Sequence, residues 1–140
     1  MQAELEEILG RFEAETGTVH LLEDGILVLK AQVGVPPPVI QIVKKVPIGR
    51  GMAGLAAERN QPVSTCNIQA DSSGDVRPGA KQTGVNGALV VPMRDAKGRV
   101  VGTLGIGVRR QYQYSEAETT RLMEEASLLA KGLAVEQAQP

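Results

Sequence analysis

VPIGRGMAGLAAERNQPV (Val46–Val63) and GALVVPMRDAKGRVVGTLGIGV (Gly87–Val108) decide the fold. In the first stretch a short strand ends at Val46-Pro47-Ile48-Gly49. Met52, Leu55 and Ala56 then share one side of a short helix between Gly51 and Arg59, closed by Asn60. Residues 62–65 (PVST) read as a short strand, and the leading proline suits an edge or a first position. In the second stretch two strands flank Asp95-Ala96-Lys97-Gly98, a four-residue turn with glycine at its end. The later strand sets Val101, Thr103, Gly105 and Gly107 against Val100, Gly102, Leu104, Ile106 and Val108. One face is apolar and the other is nearly bare of side chains. Glycines in a strand weaken it and often mark close approach of a ligand or another backbone.

Outward from these stretches, residues 2–14 read as an N-terminal helix. Leu5, Ile8, Leu9 and Phe12 fall at helical spacing, and Gly17 follows as a breaker. TVHLLE (18–23) and ILVLKAQ (26–32) are strand-like runs around Asp24-Gly25, a dipeptide suited to a tight hairpin. Pro36, Pro37 and Pro38 interrupt the sheet. Val39, Ile40, Ile42 and Val43 then add either a helical turn or a short extended stretch. Residues 66–84 show no period; a loop this long is usually a functional lid or disordered. Ser115 and Glu118 form a capping box before a C-terminal helix over 115–136. In that helix Leu122, Ala126, Leu129 and Leu133 make a seam, with Met123, Leu128 and Ala130 off it. The seam serves either a partner helix or the domain's own sheet.

The whole chain, 1–140, is expected to be one domain. At 140 residues it buries about 68–70% of its unfolded surface, enough for a core without disulfide or metal. Fifteen basic and sixteen acidic residues give a net charge of −1, so a nucleic-acid binder's basic footprint is missing. No apolar run reaches the roughly 20 residues of a membrane span, and no signal-peptide core opens the chain. One cysteine rules out a disulfide within the chain and fits a reducing cytoplasm. Phe12, Tyr112 and Tyr114 are the only aromatic residues, so stacking on a nucleobase, flavin or tetrapyrrole is poorly supplied.

The order VPIGRGMAG, then PV, then ALVVPM, then GRVVGTLGI, then YSEAE resembles the GAF family across nearly the whole chain. That resemblance implies an α+β, GAF/PAS-like fold. Its antiparallel sheet has five or six strands, spans residues 17–109 and includes the 66–84 lid loop. The terminal helices lie on one face; loops and short helices cover the ligand face. It implies a cytoplasmic, non-catalytic sensor of an unidentified small molecule, with cofactor unknown, that signals through a homodimer of its terminal helices or through a partner. Nucleic acid, membrane and metal are not expected. A scaffold with a vestigial pocket is the alternative. A methionine sulfoxide reductase-like enzyme using Cys66 is a second one.

Motifs of characterised GAF classes are mostly absent. The cyclic-nucleotide signature contains a phenylalanine, and none follows Phe12. Bilin attachment pairs a cysteine with a nearby histidine, and none follows Cys66. A haem ligand is available only in His20, and a reductase uses several cysteines.

The candidate ligand-binding residues are Asn86, His20, Thr65, Cys66, Asn67, Asp71, Asp75 and Arg77. Asn86 precedes the GALVVP strand, where many GAF domains aim a polar side chain at the pocket; Thr65 and Asn67 are second choices. His20 either faces the pocket or is a satisfied core histidine. Cys66 is either a reactive thiol, given a nearby cation such as Arg77 or Lys81, or a small buried apolar side chain. Asp71, Asp75, Arg77 and Lys81 either bind a zwitterion or small anion, with Arg77 as bidentate donor, or form a solvated loop. GRGMAG lacks the Lys-Ser/Thr ending of a phosphate-binding loop and reads as a turn with tight helix–sheet packing.

Overall fold

The computed structural model of the chain describes residues 1–66 and 84–138. Among these residues six strands form one antiparallel sheet in the order β3-β2-β1-β6-β5-β4. The strands are β1 (Thr16–Glu23), β2 (Ile26–Val33), β3 (Lys45–Pro47), β4 (Val63–Thr65), β5 (Gly87–Arg94) and β6 (Val100–Val108). The helices are α1 (Gln2–Phe12), α2 (Pro37–Val43), α3 (Gly51–Arg59) and α4 (Glu116–Ala138).

Local chemistry accounts for both hairpins. Between β1 and β2, Asp24 and Gly25 both take positive φ, 51° and 79°. That backbone twist matches the twist of the strands it joins. Between β5 and β6 the Asp95 carboxylate accepts from the backbone N–H groups of Lys97 and Arg99, at 2.9 and 3.0 Å. The Pro37-Pro38 pair opens α2, where missing N–H groups cost nothing, so the 39–43 stretch is helical rather than extended.

Alternation along the strands separates two faces. On one, Leu5, Ile8 and Leu9 of α1 and Leu122, Ala126 and Ala130 of α4 pack on Val19, Leu89, Val91, Met93, Leu104 and Ile106. Full burial of each large side chain stabilises by about 1.5–3 kcal/mol. Both terminal helices therefore share a face. The Arg11 guanidinium spans from α1 to the Glu125 carboxylate of α4 with bonds of 3.0 and 2.7 Å. The pair is exposed, so it contributes little to stability beside the apolar packing of the two helices.

The inward stripe of α4 corrects the expected seam. Leu122, Ala126 and Ala130 are buried, whereas Leu129 and Leu133 are only partly so. Steps of four residues keep small side chains against β5, so the helix approaches the sheet closely. At its N-terminus the capping box is formed: Glu118 N–H donates to Ser115 Oγ at 3.1 Å and Ser115 N–H to Glu118 Oε1 at 2.9 Å. The first helix ends at Phe12 rather than at residue 14. Glu13 takes a left-handed conformation (φ 52°) and caps it before the glycine is reached.

Candidate functional site

The face of the sheet away from α1 and α4 carries Thr16, Thr18 and His20 of β1, Ala88 and Val90 of β5, and Gly105 and Gly107 of β6. Over it lie α2, β3 and α3. Their inward side chains Val39, Ile42, Val43, Val46, Met52 and Ala53 stop short of the sheet and leave a cavity. The two glycines are why it has a floor of bare backbone. A β-carbon on Gly105 would stand 3.0 Å from Thr18 Oγ1 and 3.2 Å from Val90 Cγ2. One on Gly107 would stand 2.7 Å from both Thr16 Oγ1 and Val85 Cγ1. The cavity volume is ≈ 160 Å³. About 150 Å³ is enough for a benzene ring in an apolar protein cavity.

The wall is apolar apart from a few groups. Arg50, at the start of α3, is the one charged side chain among the described lining residues, and it is largely exposed. His20 is buried, with 2% of its surface exposed. Its Nε2 lies 2.8 Å from the carbonyl oxygen of Val43 at the end of α2. A carbonyl only accepts, so Nε2 carries the proton and Nδ1 presents a lone pair. That Nδ1 is buried and has no partner. Burial pushes the imidazole below its ordinary 6.5, and the bond to Val43 only partly opposes this. The ring is therefore neutral at pH 7. Thr103, directly opposite His20 on β6 and 1% exposed, does not line the cavity; its hydroxyl is buried without a partner among the described residues.

Of the residues singled out from sequence, His20 lines the cavity and combines both expected roles: one nitrogen is satisfied and the other is not. Asn86 does not line it. Its Nδ2 donates to the Arg109 carbonyl at 2.8 Å and its backbone N–H to Val108 O at 2.9 Å, so it fastens the chain entering β5 to the end of β6. Thr65 ends β4, next to β5 at the sheet's edge, and is absent from the lining. Cys66 is a free, exposed thiol, which overturns the expectation of a small buried side chain. Its carbonyl accepts from Tyr112 N–H at 3.1 Å. Asn67, Asp71, Asp75, Arg77 and Lys81, with nearly all of the 66–84 loop, lie outside the described residues.

The sequence reading missed Thr16, Thr18 and Arg50 as lining residues. The first two had a legible signal, since Thr16, Thr18 and His20 alternate on one strand face. Arg50 had none, because only the fold brings the start of α3 over the sheet. Among the described residues no group of His, Cys, Asp and Glu is placed to hold a metal ion. No helix among them is long and apolar enough to cross a membrane.

The sequence matches the GAF domain family over residues 1–134. The fold matches the GAF domain of a phosphoenolpyruvate-protein phosphotransferase from Coxiella burnetii with TM-score 0.80 and 23% identity, covering 98% of this chain and 82% of that one. It also matches a free methionine-R-sulfoxide reductase from Neisseria meningitidis, solved with its substrate (TM-score 0.80, 23% identity, 99% and 78% covered). A domain assigned to a two-component sensor histidine kinase of Sinorhizobium meliloti is similar too (TM-score 0.78, 17% identity, 97% and 89% covered). At these identities the likeness is one of fold. No curated protein matches the sequence. The chain belongs to the GAF family.

Proposed function

We propose that this GAF domain is a non-catalytic, cytoplasmic sensory module that binds a small molecule between its sheet and the α2–α3 roof. The observation that carries this reading is the cavity of ≈ 160 Å³ with the unpartnered Nδ1 of His20 in its wall. A buried acceptor without a partner is costly to leave unpaired, and a scaffold whose pocket had decayed would gain by filling it with an aliphatic side chain. Similarity in fold to a domain of a sensor histidine kinase supports this role.

The signal leaves through a homodimer built on α1 and α4. Leu128, 62% exposed, sits on a groove between α1 and α4 lined by Met1, Ile8, Leu129 and Leu133 together with the charged Glu4, Glu7, Arg11 and Glu125. A second chain covering that groove removes apolar surface from water.

Exposed Cys66 together with the reductase fold favours a second reading, thiol-dependent reduction of a sulfoxide. The chain holds one cysteine, so resolving an oxidised Cys66 would need an external thiol.

Native mass spectrometry of protein purified from its own host tests the main reading. The expected result is a retained small molecule, released on denaturation. Ligand-free protein whose melting temperature rises with no metabolite pool would favour the scaffold. Turnover of methionine sulfoxide that is lost in Cys66→Ser would favour the enzyme.

A further inference from the structure

We infer that the ligand of this cavity is a neutral, ring-sized molecule whose polar atoms meet the hydroxyls of Thr16 and Thr18; this rests on the cavity being the ligand site. Thr16 and Thr18 of β1 lie directly opposite Gly107 and Gly105 of β6, and all four residues line the cavity. The two hydroxyls lean over the glycines. A β-carbon on Gly107 would stand 2.7 Å from Thr16 Oγ1, and one on Gly105 would stand 3.0 Å from Thr18 Oγ1. The oxygens therefore occupy the space just above the bare floor.

Both hydroxyls are open and unused. Thr16 and Thr18 are half-buried, and neither hydroxyl has a hydrogen-bond partner among the described residues. His20 Nδ1 differs from them in being closed off from water. Two positions apart on one strand face are roughly 6.5 Å, so the two oxygens can reach different ends of a single ring. A hydroxyl both donates and accepts, so the pair takes ring nitrogens, carbonyl, amide or hydroxyl groups. A wholly apolar ligand laid on them would strip off their water and leave both unpaired, which is unfavourable.

The remaining wall limits size and charge. The roof presents Val39, Ile42, Val43, Val46 and Met52, and glycine on the floor lets a ligand come into contact with the backbone. The volume, ≈ 160 Å³, is close to the roughly 150 Å³ that holds a benzene molecule. Arg50 is the sole charged lining side chain among the described residues and is largely exposed, so no buried counter-charge awaits an ion.

The test uses the full chain with pyrazine, benzene of the same shape, and pyrazine-2-carboxylate, titrated by amide NMR. Pyrazine and benzene are both expected to move the Gly105 and Gly107 amide resonances. Thr16→Val and Thr18→Val keep the side-chain shape and suit a strand. Each should weaken pyrazine relative to benzene by up to about tenfold. Thr16→Ser and Thr18→Ser keep the hydroxyl, so they should hold the wild-type ratio of the two affinities even where the lost methyl weakens both probes. A ratio unchanged in either valine variant overturns the inference and leaves an apolar ligand site standing. Pyrazine-2-carboxylate binding more tightly than pyrazine overturns it in favour of an anion site. Entry of benzene or xenon without pyrazine overturns the inference alone. If no probe binds and xenon does not enter, both the inference and the ligand-site reading fail.

Discussion

Replacing Asn60 separates a backbone contribution from a hydrogen-bond contribution to how α3 is held over the cavity. Asn60 ends α3 in a left-handed conformation, φ 53° and ψ 43°. Its Oδ1 accepts from Arg94 Nε at 2.6 Å, its carbonyl from Arg94 Nη2 at 2.6 Å, and its Nδ2 donates to Gly98 O at 3.2 Å. Asn60→Ala places an ordinary side chain in the left-handed region, costing about 1 kcal/mol. It also removes a hydrogen bond from a charged donor, worth about 1.5–3 kcal/mol. Arg94 is only half-buried, so water partly replaces the lost acceptor and the lower end applies. The surface bond to Gly98 adds little. The alanine variant should therefore lose about 2–3 kcal/mol. Asn60→Gly loses the same side-chain bonds but tolerates the backbone, so its loss should be about 1–2 kcal/mol even after the entropy glycine adds to the unfolded chain. Urea unfolding followed by circular dichroism gives both values from the midpoints, provided the slopes match wild type. Equal midpoints for the two variants would refute the left-handed-strain argument. Either variant within about 0.5 kcal/mol of wild type would refute the hydrogen-bond argument.

Three further outcomes are expected. Burial raises the Glu118 carboxyl, but the Ser115 N–H and the Tyr112 hydroxyl at 2.8 Å outweigh it and hold the group below its ordinary 4.5. Its contribution is thus present above the unfolded pKa and lost as pH falls through the lower folded value; Glu118→Gln should flatten the acid limb of the melting curve, and an unchanged limb would count against the capping box as its source. His20, depressed by burial, should titrate below 6.5 by NMR in the folded protein, with stability falling as pH drops from about 6.5 toward that midpoint, because the unfolded chain takes the proton first; a midpoint at or above 6.5 would contradict a neutral buried ring. Leu128→Glu should convert the dimer to monomer in sedimentation while the circular dichroism spectrum of the fold stays unchanged, since Leu128 is 62% exposed in the single chain; a monomer already in wild type at micromolar concentration would remove the dimer from the reading.

The fold was largely legible because its signals are local. Asp24-Gly25, Asp95 with Gly98, Asn60 after a helical run, and Ser115 with Glu118 each force a turn or a cap within four residues. Where the signal was not local, boundaries shifted. Glu13 capped α1 because the left-handed geometry was available there without a glycine, and nothing in its residue type announced it. In α4, Leu129 and Ala130 are equally consistent with a helical stripe. The close approach of β5 selects the smaller one for the inside.

The site was legible in a different measure, because it is made partly of what the chain lacks. The alternation of Gly105 and Gly107 on one face of β6 pointed to close approach, and they do form the cavity floor. The roof was harder to foresee. Its distance from the sheet depends on His20 holding the end of α2 through Val43, and on Asn60 and Arg94 holding the end of α3. These contacts span 23 and 34 positions and leave no periodic trace in sequence. The same point explains why Asn86 is tied to backbone while His20 lines the cavity. Beside a strand end, a polar side chain finds backbone partners, as Asn86 does in Arg109. His20 lies within β1 rather than at its end, and its side chain reaches a neighbouring element, the Val43 carbonyl at the end of α2. His20 reaches α2 with one nitrogen and has no partner among the described residues for the other, so the cavity wall holds one buried polar atom that local sequence signals do not announce.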